Sequence, residues 1–218
     1  MHALTAHEPP LLTTDHHRLE PATVNNSGSL AAHRSEPLPT TGAYPPLVAI
    51  VGAHGGAGTS TVARWWAPAA DCGQSWPGSP ETTQLVVVAA RLCLPGLIAC
   101  AERLREWHVG TAPDGVDIVG VVLTAARPGR IPAPVRRYRA VIEDLTEVVW
   151  EIGWHEELVE RELSELAEFT PSDPEPPRRS RLSAAVPADV HRAGSELIDA
   201  VSRALKGPTR TQDSENKP

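Results

Sequence analysis

Leu47-Val48-Ala49-Ile50-Val51-Gly52-Ala53-His54-Gly55-Gly56-Ala57-Gly58-Thr59-Ser60-Thr61 decides how the chain is read. An apolar run, as expected of a strand buried on both faces, ends in a glycine-rich turn. A helical pattern sets in at Thr59 and is expected to last to about Ala70. Strand, glycine loop, helix is a geometry that cradles phosphate. Glycines let backbone N–H groups turn inward, and the helix N-terminus adds a partial positive charge. Against the pattern G-x-x-x-x-G-K-[ST], however, Ala53 stands at the first glycine and Thr59 at the lysine. The scaffold of a nucleotide site is legible; its main charged tool is missing.

Outward from that stretch, apolar runs and helical periods alternate. Val62, Trp65, Trp66 and Ala69 continue the helix at i, i+3, i+4, i+7 spacing. Asp71–Gln84, holding Gly73, Pro77, Gly78 and Pro80, predicts a loop. Leu85–Ala90 predicts a second buried strand, and Pro95 opens a helix with Leu97, Cys100, Leu104 and Trp107 on one face. A third strand is expected over Val116–Leu123, a helix over Pro132–Leu145 and a fourth strand over Glu147–Ile152. Trp154–Glu168 predicts an acidic helix using Leu158, Leu163 and Leu166, and Pro187–Leu205 predicts the last helix. This order predicts an α/β fold: a small, mainly parallel sheet of about four strands with helices on both faces, P-loop NTPase-like. Such sheets bind ligands at the carboxyl ends of their strands. Gly52–Thr61, the Asp71–Gln84 loop, Arg91 and Thr124–Arg130 border that edge.

The ends of the chain read differently. Residues 1–43 mix Pro, Thr, Ser, His and Asn without apolar periodicity and are expected to be disordered, as are residues 207–218. Between them, 44–169 is expected to form the P-loop domain, 170–183 a linker, and 184–206 a C-terminal helix packing on the domain. With 22 prolines clustered outside the apolar runs, the core is smaller than 218 residues suggest. The formal net charge of −7 argues against a protein that is basic overall, as a general nucleic-acid binder would be. Three cysteines without a C-x-x-C spacing argue against a disulfide framework or zinc site and fit a reducing cytosol. Met1–Pro10 lacks the basic start and apolar core of a signal peptide, and no apolar stretch approaches the ~20 residues of a membrane span. The expected location is cytoplasmic.

The loop Ala53–Thr61 resembles the deviant Walker A loop of the ParA/MinD ATPases, G-K-G-G-x-G-K-[ST]-[ST], and more closely that of actinobacterial proteins whose loop lacks the lysines. By order and spacing the resemblance covers residues 45–165, with Leu85–Arg91, Val116–Leu123 and Trp150–Trp154 standing where the family has its later strands. It implies a nucleotide or anion site made by His54, Gly55, Gly56, Ala57, Gly58, Thr59, Ser60 and Thr61, with Ser60 as metal ligand and ATP or ADP with Mg²⁺ as the cofactor. Three departures bear on activity. His54 and Thr59 replace the two lysines, and the only lysines in the chain are Lys206 and Lys217. Only Asp71–Gln84 separates the first helix from the second strand, where the family carries its switch and Walker B aspartates, so Ser60 is expected to lose its carboxylate neighbour. Gly153-Trp154-His155-Glu156 replaces the family's I-P-x-D loop.

A charge-assisted hydrogen bond contributes ~1.5–3 kcal/mol. Two missing lysine contacts therefore weaken nucleotide binding by roughly two to four decades. The expectation is a non-hydrolysing protein with no catalytic residue and weak or no nucleotide binding, acting as a regulatory or scaffolding partner of another protein, alone or as a homodimer. A second reading is a nucleotide-dependent switch in which Arg91, emerging at the carboxyl end of a buried strand, or a partner's residue replaces the lysines; the alternative for Arg91 is a pair with Asp71 or solvent, and Asp71 is read as a loop cap with a substitute metal or water ligand as the alternative. A third reading is a DNA-associated module using the basic block Arg127, Arg130, Arg136, Arg137 and Arg139, which could equally dock the acidic Glu156–Glu168 face. His54 is read as a turn residue, since imidazole's ordinary pKa of ~6.5 leaves it mostly neutral at neutral pH. Trp76, in a Pro/Gly loop, is the tryptophan expected to make an exposed partner contact.

Overall fold

The computed structural model describes residues 31–177 and 179–206. Among the described residues seven strands occur: β1 His33–Arg34, β2 Val48–Gly52, β3 Ala69–Asp71, β4 Trp76–Pro77, β5 Leu85–Leu92, β6 Asp117–Ala125 and β7 Val149–Ile152. Four α-helices accompany them: α1 Thr59–Trp65, α2 Leu94–His108, α3 Ala133–Leu145 and α4 Ala188–Lys206. The central sheet has five strands in the order β3-β2-β5-β6-β7, and every pairing is parallel. A mixed α/β fold around a parallel sheet is what the alternation of runs predicts.

The apolar runs are long because both faces of the sheet are covered. Val48, Ile50, Val87, Ala89, Val122 and Trp150 share one layer with Val62 and Trp65 of α1 and Val190, Leu197 and Val201 of α4. Ala49, Val51, Val86, Val88, Val121 and Leu123 share the other with Leu97 and Leu104 of α2 and Ile142 of α3. Alternate residues of each strand thus feed opposite cores, so an uninterrupted apolar run is required. Fully burying a Val, Leu or Ile side chain contributes roughly 1.5–3 kcal/mol.

Several expectations are corrected. The first helix stops at Trp65, not near Ala70, because Pro68 disfavours helical geometry at the residue before it. The chain then turns into β3, pairing Val48 with Ala69 and Ile50 with Asp71. Ala69 fitted the helical period because it is buried in the same layer as Val62 and Trp65, but it is there as a strand residue. The sheet accordingly has five strands rather than about four.

Next, residues 31–43 are not featureless. β1 pairs in parallel with β4, joining His33 to Trp76 and Arg34 to Pro77, and Leu38 is buried beside α2's core layer. The Asp71–Gln84 segment therefore carries a short strand, not only loop. The expectations for residues 1–30 and 207–218 lie outside the described residues.

Finally, Trp154–Glu168 forms two 3₁₀ turns, Glu156–Glu160 and Leu163–Glu165, instead of an α-helix. Tertiary hydrogen bonds win over local periodicity. Glu157 accepts the Leu182 N–H, Ala167 N–H donates to Leu182 O, and Phe169 N–H donates to Trp65 O. Leu182 and Val186 join the core, so the expected linker is partly packed. No described helix is long and apolar enough to cross a membrane.

Candidate functional site

The site is built where β2 runs out. Gly52 N–H donates to Gly73 O at 2.6 Å, and Ala53 N–H to Ala89 O at 2.8 Å, so the chain stays in the sheet up to Ala53. A side chain at position 52 would meet Thr59 Oγ1 at 2.8 Å, which is why glycine ends the strand. The loop then needs left-handed backbone at Gly56 (φ +78°) and Gly58 (φ +92°), the latter capping α1.

Donors from neighbouring elements take up the loop's carbonyls. His54 Nδ1–H donates to Gly55 O at 2.8 Å while its Nε2 accepts the Arg91 N–H at 3.1 Å. This fixes a neutral imidazole with its proton on Nδ1, a turn residue as the sequence implied. The Arg91 guanidinium donates to Gly56 O at 2.9 Å and to Ala125 O at 2.8 Å. Thr124 Oγ1 donates to Ala57 O at 2.9 Å. With the carbonyls turned toward these partners, the N–H groups of Gly55, Gly56, Gly58, Thr59, Ser60 and Thr61 have no hydrogen-bond partner among the described residues. Backbone amides left open in this way make an anion-binding concavity.

Ser60 does have a carboxylate neighbour, contrary to expectation. Its Oγ donates to Asp71 Oδ2 at 2.5 Å, while Asp71 Oδ1 accepts the Gly73 N–H at 2.8 Å. The register Ile50–Asp71 brings them together, because β3 lies directly beside the strand that feeds the loop. Sequence reasoning missed the contact by carrying α1 to about Ala70 and opening a loop at Asp71, where the structure has a strand. One hydroxyl and one carboxylate suit a hydrated divalent cation whose other ligands are water and phosphate. Among the described residues no group of three or more His, Cys, Asp or Glu could hold a metal by itself. Arg91 does not pair with Asp71; it braces the loop.

Beside the loop lies a cavity of about 190 Å³ lined by Gly58, Thr61, Trp65, Arg91, Thr124 and the Gly153–His155 turn, with Leu158 and Val159 at its edge. Trp65 meets the His155 ring edge-on at 5.8 Å. Trp154 is 38% exposed, and its Nε1–H donates to Glu156 Oε2 at 2.6 Å. Asp189, in the first turn of α4, accepts the Gly153 N–H at 2.7 Å and faces His155 Nε2 at 3.2 Å. Neither His155 nor Asp189 was singled out from the sequence. They lie 34 positions apart and meet only because α4 folds back over the sheet.

The remaining candidates separate. Trp76 is fully buried, with Nε1–H donating to Glu106 Oε2 at 3.0 Å and Arg103 above its ring, so it cannot serve as an exposed contact. The basic block splits. Arg139 pairs with Glu143 at 2.9 Å and lies 2.8 Å from Glu151 of β7, and Arg136 donates to Ile131 O at 2.8 Å. Arg127, Arg130 and Arg137 are exposed. The acidic segment is met by Arg64, paired with Glu168, and by Arg161, paired with Glu157 and Glu165, rather than by the block. No family model, no curated protein and no solved structure matches this chain.

Proposed function

We propose that the protein is a P-loop-like regulatory or scaffolding protein of ParA/MinD ancestry that holds a nucleotide weakly and does not hydrolyse it. The observation that carries this reading is the amide cradle of Gly55–Thr61 left without a free cation. The phosphates would take the open N–H groups, Ser60 and Asp71 would hold Mg²⁺, and the base would enter the cavity between Thr124 and the Gly153–His155 turn. The bound metal would supply charge neutralisation at the phosphates. Arg91, the nearest guanidinium, is committed to Gly56 O and Ala125 O. To serve as the missing lysine it would have to release both carbonyls, which weighs against the switch-ATPase reading. The DNA-associated reading keeps Arg127, Arg130 and Arg137 but loses the engaged Arg136 and Arg139.

A thermal-shift titration with ATP, ADP and GTP, with and without Mg²⁺, tests the proposal. Ligand at ~100 times Kd stabilises by ~2.7 kcal/mol. That is a shift of several degrees for a domain of this size. Gly55 has ordinary φ, and a Cβ there meets nothing closer than 3.8 Å, so G55D adds a negative charge to the cradle without straining the turn. The proposal requires a nucleotide shift in the wild type and its loss in G55D. No shift at millimolar nucleotide would reduce the loop to a turn and overturn it.

A further inference from the structure

The turn Gly153–His155 forms one wall of the cavity, and its position is set from outside the P-loop unit by a residue of the C-terminal helix. Asp189 accepts three hydrogen bonds: from Gly153 N–H at 2.7 Å, from His155 Nε2–H at 3.2 Å and from Val190 N–H at 3.0 Å. Neighbouring contacts pin α4 at the same end. Trp66 Nε1–H donates to Val190 O at 3.1 Å, and a side chain at Gly194 would strike the Phe169 ring, so the start of the helix is seated closely on Trp66 and Phe169. With Nε2–H turned to Asp189, the neutral His155 ring keeps an unprotonated Nδ1 that has no hydrogen-bond partner among the described residues. The charged groups lining the cavity are Arg91 from β5 and His155 itself. α1 contributes only Thr61, Val62 and Trp65, and in the turn that follows Glu156 is bound to Trp154 and Glu157 to Arg161 and Leu182.

We propose that Asp189 is a positioning residue of the candidate site: it fixes the Gly153–His155 wall and thereby tightens the cavity's hold on a polyanionic ligand. The ligand arm of this inference rests on the nucleotide reading above; the positioning arm does not. Burial works against the Asp189 carboxylate, yet the bonds from His155, Gly153 and Val190 outweigh it and hold the acid below the ordinary range.

The test uses the full chain with D189A and D189N. Without ligand, hydrogen exchange at Gly153–His155 should rise about tenfold or more in D189A, and D189N, whose amide oxygen still accepts, should recover most of the protection. With Mg·ATP at one pH, D189N should bind nearly as tightly as the wild type. D189A should bind about fivefold or more weakly. Unchanged exchange in D189A overturns the positioning role. D189N binding as weakly as D189A overturns the claim that the accepted hydrogen bonds do the positioning. If ATP fails to bind the wild type while D189A still frees Gly153, the nucleotide reading falls and the positioning stands.

Discussion

Replacing Arg91 by alanine separates a brace from a substitute cation. In the folded protein the guanidinium makes two charge-assisted hydrogen bonds, to Gly56 O at 2.9 Å and to Ala125 O at 2.8 Å. Such bonds contribute ~1.5–3 kcal/mol each when shielded. The Gly56 contact is open to water and the Ala125 contact only half-shielded, so screening lowers the total to about 1–3 kcal/mol. The backbone N–H of Arg91, which His54 needs, survives the substitution. For a chain of this size 1 kcal/mol shifts Tm by ~2–4 °C, so R91A without ligand should melt several degrees lower. Exchange of the 54–58 amides should rise with it, since the carbonyls that orient the loop lose their partner. R91K should resemble R91A, because one ammonium cannot span both carbonyls with the planar fork of a guanidinium. The assay is calorimetry on ligand-free protein, with hydrogen exchange alongside. An unchanged Tm, within the ~0.5 kcal/mol typical of surface substitutions, would refute the brace and return Arg91 to the role of a cation kept free for phosphate.

Other outcomes follow from the same structure. W76F removes the only indole donor to the buried Glu106 carboxylate and should cost ~1–3 kcal/mol, checked by urea denaturation; a neutral effect would revive Trp76 as a surface contact. L38A should cost ~2–5 kcal/mol if residues 31–43 belong to the folded unit, whereas a solvated tail would lose nothing. Burial pushes the Cys72 thiol up to about 11 and Cys100 to about 12, so in native protein a thiol reagent at mildly alkaline pH should label the half-buried Cys93 first. The lowered Asp189 acid stabilises the fold above the ordinary carboxyl range of ~3.9 and loses that contribution as pH falls through its folded value; D189N should flatten this acid limb of stability.

Much of the fold is legible because burial on both sheet faces writes itself as uninterrupted apolar runs at Leu47–Gly52, Leu85–Ala90 and Val116–Leu123. Gly56 and Gly58 announce the loop for a similar reason, since side chains are excluded where the backbone turns left-handed. Short elements defeat this kind of reading. β3 is three residues long, and Ala69 satisfies a helical and a strand pattern alike because both bury it in one layer. That single ambiguity hid Asp71 from Ser60. Trp76 sits among prolines and glycines, yet the fold covers it with α2 and β1, which no local pattern encodes. The acidic periodicity of Trp154–Glu168 lost to backbone bonds supplied by Leu182 and Trp65, distant in sequence. Asp189 and His155 had no signal at all, since their pairing depends on where α4 lands.

The most direct test of the central claim is a calorimetric titration of the full chain with Mg·ATP, with phosphate release followed in the same saturated sample. Saturable binding at one site, abolished in G55D and accompanied by no release above buffer, is the expected result. Steady phosphate release would contradict the non-hydrolysing reading, and no binding at millimolar ATP would contradict the site itself.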